Sequence, residues 1–455
     1  MATKINCLEL FAGCGGLGHG FHKEGFTMVC ANELEAVIAG SYELNFADTT
    51  VIPGDITKPE IKKQIYDCFN EEVECDVILG GPPCVAYSMS GHRNSRDPRG
   101  QLFNDYVAVV NELKPKVFIM ENVKGILTIM HDKPNLTKAE KKLADKYYKL
   151  EADKIKYAEL KKNLVFHNSK AESEAKAAAE PDPKAAAEPE PDPKATVEPE
   201  TDPKAKKAKT SDVSPPPLVE EAKPAAQESE EYMENEANIK ETKKNIKKMA
   251  SDLGKFRMKV TDIIKDKFKD IGYKVEMKLL KASDFGVPQN RERVIFIGVR
   301  NDIDDKKITY PEKTHNADGS DGKKKHQTVK EAIDDLKESP ENKESHHIYT
   351  KHSEDFTQKI KNTKVGESVN KKYTEAFFRC SPDKPSNTVK ENHGGVFVHY
   401  EKDRVMTPRE LARLQSFPDD YMFKGTKSSV LVQLGNAVPC GLSRAIAKEI
   451  KKIFI

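Results

Sequence analysis

The sequence predicts an α/β fold built around a parallel β-sheet, on two observations. Short apolar runs alternate with helix-compatible stretches over the first 130 residues, which is the βαβ rhythm of a parallel sheet. Each run ends in small, acidic or Gly/Pro residues, and the rhythm resumes near residue 256 after a long interruption. The strands predicted before the interruption are Cys7–Phe11, Met28–Ala31, Val77–Leu79 and Val117–Met120, with a helix at Asn104–Leu113.

Length and composition narrow the class of protein. A chain of 455 residues is too long for one compact core. With 33% charged residues, a mean hydropathy of −0.68 and no run of 18 apolar residues, we expect no transmembrane helix and no membrane partner. The opening MATKINCLELFAG lacks the pattern of a secretory signal, so we expect an intracellular protein, with nucleus and cytoplasm or nucleoid not distinguished.

The eight cysteines are spread along the chain without any C-x-x-C pair. A zinc cluster or a disulfide framework needs tighter, paired spacing. We therefore expect reduced thiols and no metal ion.

Residues 132–255 read as an insertion inside a domain. Apolar residues at helical spacing in 136–166 and 239–256 predict two amphipathic helices that pair as an antiparallel hairpin. Between them, residues 167–236 carry an imperfect Pro/Glu/Ala repeat that predicts a disordered tether. Its basic cluster Lys204–Lys209 fits a solvated linker better than a localisation signal.

The near-neutral total charge of +2 hides two regions of opposite sign. The tether 167–236 holds 9 basic and 18 acidic side chains, a net charge of −9. The remaining residues therefore carry +11, which suits a protein that binds phosphate groups.

After the insertion, the pattern predicts a helix at 259–271, strands Tyr273–Leu280 and Arg293–Val299, and helices at Pro408–Ser416 and from Cys440 to the end. Residues 301–403 between them are polar, weakly patterned and hold seven of the twelve histidines.

A glycine-rich turn follows the first predicted strand, in Leu8–Gly18. Such a turn brings backbone amides close to a ligand, although a lone glycine-rich loop is a weak signal. The second strand ends in Asn32-Glu33, whose carboxylate can accept both ribose hydroxyls, and Gly54-Asp55-Ile56 follows the third. The turn lacks GxGxxG spacing and a Walker lysine, so an adenosine-bearing cofactor other than a dinucleotide fits best.

Three further segments carry reactive groups. Gly80–Cys84 holds one thiol on a stiff loop at the sheet edge, which suits a nucleophile better than an inert buried cysteine. The next strand delivers Glu121, either a proton-transfer carboxylate or a capping or salt-bridged one. Gln289–Arg293 adds two guanidinium groups.

Taken together, these motifs resemble those of the cytosine-5 DNA methyltransferases of bacterial and viral restriction-modification systems. The resemblance adds Arg99–Phe103, Arg409–Pro418 and Gln433–Pro439, and covers residues 5–131, 256–300 and 404–455. It implies a Rossmann-like class I methyltransferase with a mostly parallel seven-stranded sheet. The catalytic domain would comprise 1–131, 256–300 and 404–455, with 301–403 as a smaller, irregular target recognition domain in which Thr388-Val389 resembles a family dipeptide.

The resemblance also implies roles for individual residues. Cys84 would attack carbon 6 of a flipped cytosine, Glu121 would hold or protonate its ring nitrogen 3, and Arg293 would contact its exocyclic oxygen. Pro83 would precede the nucleophile, and Arg291 would steady the catalytic loop. S-adenosyl-L-methionine, without a metal, would be bound by Phe11, Gly13, Gly15, Glu33, Asp55, Ile56, Leu102 and Asn436.

The implied partners are double-stranded DNA and a cognate restriction endonuclease that acts on the same sequence without direct contact; we expect a monomer. Two features depart from the family pattern: Val85 stands where Gln is frequent, and the insertion has no counterpart in compact members. A tRNA methyltransferase is less favoured because the Cys-Phe-Thr tripeptide of that branch is absent. A catalytically silent DNA-binding protein is disfavoured by the intact Cys84, Glu121 and Arg293.

Overall fold

The computed structural model describes residues 4–83, 102–150, 152–154, 156, 238, 240–247, 254–303, 308–370, 376–391 and 396–455. The chain forms two compact units, one of residues 1–133 with 258–455 and one of residues 134–257. Within the second unit, residues 138–150 and 240–247 are helical. The predicted tether 167–236 lies outside the described residues, and the predicted hairpin pairing stays a prediction.

A seven-stranded sheet organises the first unit. Its strands are β1 (Asn6–Leu10), β2 (Thr27–Glu33), β3 (Thr50–Pro53), β4 (Val77–Gly80), β5 (Val117–Val123), β8 (Tyr273–Lys281) and β9 (Glu292–Arg300). The spatial order is β3-β2-β1-β4-β5-β9-β8, and β9 runs in the direction opposite to the other six strands. The predicted mostly parallel, Rossmann-like sheet is confirmed.

The first unit also contains helices. They are α1 (Gly16–Lys23), α2 (Ala36–Asn45), α3 (Pro59–Asp67), α4 (Phe103–Leu113), α5 (Val260–Asp270), α6 (Val329–Ile333), α7 (Glu354–Lys361), α8 (Pro408–Leu414), α9 (Lys427–Asn436) and α10 (Cys440–Lys451). Short strands lie at β6 (Met130–Asp132), β7 (Arg257–Lys259), β10 (His315–Asn316) and β11 (Lys324–Lys325), and 3₁₀ turns at Lys124–Leu127, Ala282–Phe285 and Asp334–Leu336.

Two apolar cores lie on the two faces of the sheet, because successive side chains of a strand point to opposite faces. In β5, Val117 and Ile119 belong to one cluster, whereas Phe118 and Met120 belong to the other. The first core packs α1 and α10 against the sheet, and the second packs α4 and α5. Both faces of the parallel strands are thus covered, which is why their sequences are continuous apolar runs.

Helix ends differ from the predictions by a few residues. The helix predicted to reach Ser416 ends at Leu414, because Ser416 takes a positive φ of 59°. The helix predicted through Phe256 was wrong at its end, since Phe256 lies in a turn before β7.

Within the described residues, one segment, 427–451, is long and apolar enough to cross a membrane by length and composition. Its apolar stretch is 72% buried inside the protein, and residues 437–439 separate α9 from α10. Core helices have the same composition, so this segment is accounted for by packing.

Candidate active site

The site lies at the carboxyl edge of the sheet, where β1 and β4 are neighbours although their connections lead to opposite sides. Leu10 pairs with Gly80, and Gly80 pairs with Met120. Because β9 is antiparallel, its first residues lie at the same edge, with Arg293 paired to Val123. Ligands of open α/β sheets bind at such a topological switch point.

The glycine-rich turn after β1 is fixed by its backbone. Phe11, Gly13 and Gly15 have φ values of 53°, 56° and 87°, and α1 begins at Gly16. A Cβ on Gly15 would lie 2.7 Å from side-chain atoms of both Phe46 and Tyr421, so glycine is required there. A Cβ on Gly13 would meet no atom within 4 Å, which leaves open space for a ligand above that residue.

Glu33, at the end of β2, closes this turn. Its Oε2 accepts a hydrogen bond from the Gly13 amide at 2.8 Å, and its Oε1 accepts one from the Glu35 amide at 3.1 Å. Burial raises the pKa of Glu33, while these amide donors favour its ionised form. Its neighbour Asn32 donates to the carbonyls of Ile52 and Gly54, which fixes the turn after β3.

The remaining predicted cofactor residues lie around the same edge. Asp55 accepts a hydrogen bond from the Thr57 amide at 2.9 Å, which lowers its pKa, and Ile56 is buried. Leu102 caps the start of α4 and is half-buried, whereas Asn436, the last residue of α9, is exposed. An open glycine turn flanked by an acidic, an apolar and an amide side chain fits a nucleoside cofactor with a polar amino-acid tail.

One acidic residue under this turn was missed from the sequence. Glu9 is 1% exposed, accepts hydrogen bonds from the Gly18 amide at 3.0 Å and the Tyr42 hydroxyl at 2.9 Å, and so links β1, α1 and α2. Burial raises the pKa of Glu9 to about 8. The available signal was a carboxylate inside an otherwise apolar strand.

The turn is also held by the C-terminal segment. The Tyr421 hydroxyl donates to the Cys14 carbonyl, and the Ser443 hydroxyl donates to the Leu17 carbonyl. Gly20 lets α1 approach α10 closely, since a Cβ there would lie 2.3 Å from the Arg444 amide nitrogen. Residues at opposite ends of the chain therefore build one side of the site.

The ends of β4, β5 and β9 bring the candidate reactive groups together. Glu121 Oε1 lies 2.5 Å from Arg293 Nε, an ion pair that is close but not aligned as a hydrogen bond. A Cβ on Gly81 would lie 2.9 Å from Glu121 Oε2, and the Asn122 side chain donates to the Pro82 carbonyl at 3.3 Å. Both side chains of the pair are only 11% exposed, so the charges meet in a mostly desolvated pocket.

Pro83 is the last described residue of this segment. Cys84, the predicted nucleophile, lies outside the described residues together with residues 85–101. The structure thus describes the strand and the turn that lead to Cys84.

Arg291 lies apart from this pair. It is 1% exposed and donates to the carbonyls of Val389 at 2.8 Å and Gly435 at 2.7 Å. Gln289, likewise buried, accepts from the Val389 amide at 3.0 Å and donates to the Gln415 side chain at 2.8 Å. The predicted role of Arg291 toward the catalytic loop stays a prediction.

In the described part of the chain, no group of three or more His, Cys, Asp or Glu side chains is arranged to hold a metal ion. The seven cysteines described there are all free thiols.

Fold and site define a Rossmann-like enzyme with a nucleoside-cofactor edge and a buried carboxylate–guanidinium pair. Comparison with known proteins gives its family: residues 5–159 and 218–452 match the family described as C-5 cytosine-specific DNA methylase. The chain belongs to this family and is a DNA cytosine-5 methyltransferase, a class that takes its methyl group from S-adenosyl-L-methionine.

Individual relatives agree with this assignment. The chain is 28% identical to the type II methyltransferase M1.HphI of Haemophilus parahaemolyticus, over 99% of this chain and 87% of that one. It is 28% identical to M.NgoFVII of Neisseria gonorrhoeae, over 100% and 88% of the two chains. A solved structure of an E. coli prophage protein, described as a DNA modification methyltransferase, shares the fold with a TM-score of 0.55, 19% identity and 99% coverage of both chains.

Proposed function

We propose that this enzyme methylates carbon 5 of a flipped cytosine in a specific duplex sequence, through a covalent adduct with Cys84. The observation that supports this most is the Glu121–Arg293 pair, 2.5 Å apart beside Gly81–Pro83, directly before Cys84. A cytosine stacked inside a duplex cannot reach this recessed pair, so the base must leave the stack.

The chemistry divides between three side chains. The Cys84 thiolate forms a bond to ring carbon 6, and the electron pair of the 5,6 double bond shifts toward ring nitrogen 3, to which Glu121 supplies a proton. Arg293, held by Glu121, donates toward the exocyclic oxygen and stabilises the charge that develops there. Carbon 5 then takes the methyl group and nitrogen 3 returns its proton to the Glu121 carboxylate. A water molecule accepts the carbon 5 proton, and the electron pair of that C–H bond forms the 5,6 double bond and expels the Cys84 thiolate, which restores the aromatic ring.

The cofactor would occupy the open space above Gly13. Bound there, it supplies an electrophilic methyl group on a sulfonium. Glu33 would accept the ribose hydroxyls, Asp55 and Ile56 would contact the adenine, and Phe11, Gly15, Leu102 and Asn436 would line the rest. In the structure the Glu33 carboxylate accepts one amide bond on each oxygen, so each oxygen has capacity for one more.

Residues 301–403 would read the target sequence, as the recognition part of a restriction-modification methyltransferase. The relatives' designation as type II methyltransferases supports a role opposite an endonuclease that cuts the same sequence. We expect an intracellular enzyme that acts as a monomer on duplex DNA.

The target is found by expressing the full chain in a host that lacks cytosine methylation and sequencing bisulfite-treated DNA. We expect unconverted cytosines at one short recurring sequence. Conversion of every cytosine, with purified protein also inactive on duplex DNA, would contradict the proposed activity.

The covalent step is tested with a duplex carrying 5-fluorocytosine at that target. Fluorine blocks loss of the carbon 5 substituent, so the wild-type enzyme remains attached under denaturing electrophoresis. Cys84→Ser is expected to give no attached species, while Cys68→Ser, on a half-buried thiol after α3, behaves as wild type. Attachment by Cys84→Ser would overturn the assignment of the nucleophile.

A further inference from the structure

A buried polar network joins three segments that are far apart in sequence. The Gln289 side chain donates to the Leu414 carbonyl at 3.2 Å and to Gln415 Oε1 at 2.8 Å, and the Gln415 side chain donates in turn to the Leu434 carbonyl at 2.6 Å. Arg291, two residues further, donates to Val389 and Gly435. Gln289, Arg291 and Gln415 are each at most 1% exposed.

One end of this network lies in the segment 385–391 of the region proposed to read DNA. Val389 is held on both sides, since its amide donates to Gln289 and its carbonyl accepts from Arg291. The Asn290 amide also donates to the Ser386 carbonyl at 2.8 Å. The position of Thr388 and its neighbours is thus determined by the segment 289–291, which directly precedes β9.

The other end lies in the C-terminal residues of α9, at the proposed cofactor edge. Leu434 and Gly435, which accept the bonds from Gln415 and Arg291, directly precede the exposed Asn436. A Cβ on Gly435 would lie 2.1 Å from the Glu391 amide nitrogen, so the two segments touch backbone to backbone. A shift of either segment must move the other or break buried hydrogen bonds.

We propose that Gln289, Arg291 and Gln415 are positioning residues that couple occupancy of the DNA-reading segment 385–391 to occupancy of the cofactor site at the end of α9, residues 434–436. This inference rests on the proposed function, in which DNA binds the first segment and the cofactor binds the second. Breaking one buried bond leaves a polar group unsatisfied, so the network favours states in which both segments are in place together. Coupling of this kind is reciprocal: DNA raises cofactor affinity by the factor by which cofactor raises DNA affinity.

The test measures binding alone, so it is independent of methyl transfer. Dissociation constants of S-adenosyl-L-homocysteine, which carries no transferable methyl group, are measured by calorimetry with and without a duplex containing the target found by bisulfite sequencing. The coupling factor is the dissociation constant without the duplex divided by the dissociation constant with it. Arg291→Lys keeps the charge but cannot donate to both the Val389 and the Gly435 carbonyls. Gln289→Met keeps the side-chain length but removes its hydrogen bonds.

Arg379→Lys is the matched control. Arg379 is 5% exposed and donates to the carbonyls of Ile360 and His399 and to Asp403, all within 301–403 and none at the end of α9. We expect the coupling factor to exceed 1 in the wild type, to fall to about 1 in Arg291→Lys and Gln289→Met, and to persist in Arg379→Lys at a comparable loss of Tm.

Three results would overturn the proposal. They are a coupling factor of 1 in the wild type, an unchanged coupling factor in both Arg291→Lys and Gln289→Met, or a coupling factor that falls equally in Arg379→Lys. If Arg291→Lys does not fold, Gln289→Met decides. A failure of the proposed function itself is distinguishable, because it would appear as missing methylation or a missing covalent adduct.

Discussion

Glu121 shows how position alone gives a side chain two partners at once. Strand β5 ends where β4 turns away through Gly81, and the antiparallel β9 brings Arg293 to the same level. The carboxylate therefore has a guanidinium on one oxygen and the close Gly81 backbone near the other. A bound base must therefore compete with Arg293 for this carboxylate.

Replacing Glu121 with Gln tests its chemical role without removing its volume. Gln cannot supply the proton, so we expect the methylation rate to fall by about 10²–10⁴-fold. The measurement is single-turnover methylation of the target duplex, with S-adenosyl-L-homocysteine affinity as the control for an intact cofactor site. A rate within a few-fold of wild type would contradict this role.

Glu9 acts on folding rather than on the substrate. Its pKa of about 8 lies above the value of an exposed glutamate, so the folded state binds its proton more tightly than the unfolded state does. The stability that this protonation contributes is fully present at acidic pH and is lost as the pH rises toward 8.

Glu9→Gln removes this titration while keeping an acceptor for the Gly18 amide. As the pH rises from 5 to 8, we expect the Tm difference, variant minus wild type, to increase. The corresponding difference in the free energy of unfolding increases by at most about 1.4 kcal/mol per pH unit. Thermal unfolding of both proteins over that range measures the difference. Glu43→Gln, on the exposed side of α2, should give a constant difference, and a constant difference for Glu9→Gln would refute the assignment.

At the residue scale, the sequence predicted the site residues that lie next to the end of a strand. It did not predict contacts between residues that are far apart in the chain. Glu33, Glu121 and Arg293 each follow or precede an apolar run, so their location at the edge could be read from the pattern. Gln289 and Gln415 are 126 residues apart, and nothing in either local pattern indicates their contact.

Among the elements, α4 fixes the relative position of β4 and β5, the two strands that lead to the reactive groups. The Tyr106 hydroxyl donates to the carbonyls of Ile78 in β4 and Ile119 in β5, each at 3.0 Å. A Cβ on Gly80 would lie 2.7 Å from the Tyr106 ring, so the ring packs against the end of β4. One side chain thus spans the pair of strands that leads to Gly81 and Glu121.

Tyr106→Phe keeps the ring and removes the hydroxyl. We expect a loss of about 1–3 kcal/mol in the free energy of unfolding and a slower methylation rate, because the strand carbonyls lose a buried donor. Urea unfolding and the target-duplex assay measure the two effects. The control is Tyr273→Phe, which loses one hydrogen bond to the Pro115 carbonyl at the opposite edge of the sheet and should lower stability without slowing methylation. Equal methylation rates in the two variants would show that Tyr106 does not position β4 and β5 for catalysis.

Strands were easier to predict than helix ends for a physical reason. Both faces of β4 and β5 are buried, so β4 and the first four residues of β5 are apolar runs, although β5 continues through Glu121 to Val123, beyond its predicted end at Met120. A helix end is decided by single residues, such as Ser416 with its positive φ, whose conformation depends on tertiary contacts.

Across the whole molecule, charge is divided along the chain. The predicted tether, residues 167–236, carries a net charge of −9 and the rest of the chain +11, so an acidic segment interrupts a basic DNA methyltransferase. Like charge on the tether and on DNA predicts repulsion that opposes association, by an amount that depends on ionic strength.

Changing nine tether glutamates to Gln brings the tether to zero net charge at constant length. We expect tighter binding of the target duplex, by several-fold at about 0.01 M salt and by little at about 0.15 M, since the Debye length falls from about 30 Å to about 8 Å. Fluorescence anisotropy of a labelled duplex across this salt range measures the effect. Glu→Asp at the same nine positions keeps the charge and should match wild type. An affinity gain that does not decline with salt, or the same gain in the Asp variant, would show that tether charge does not act on DNA.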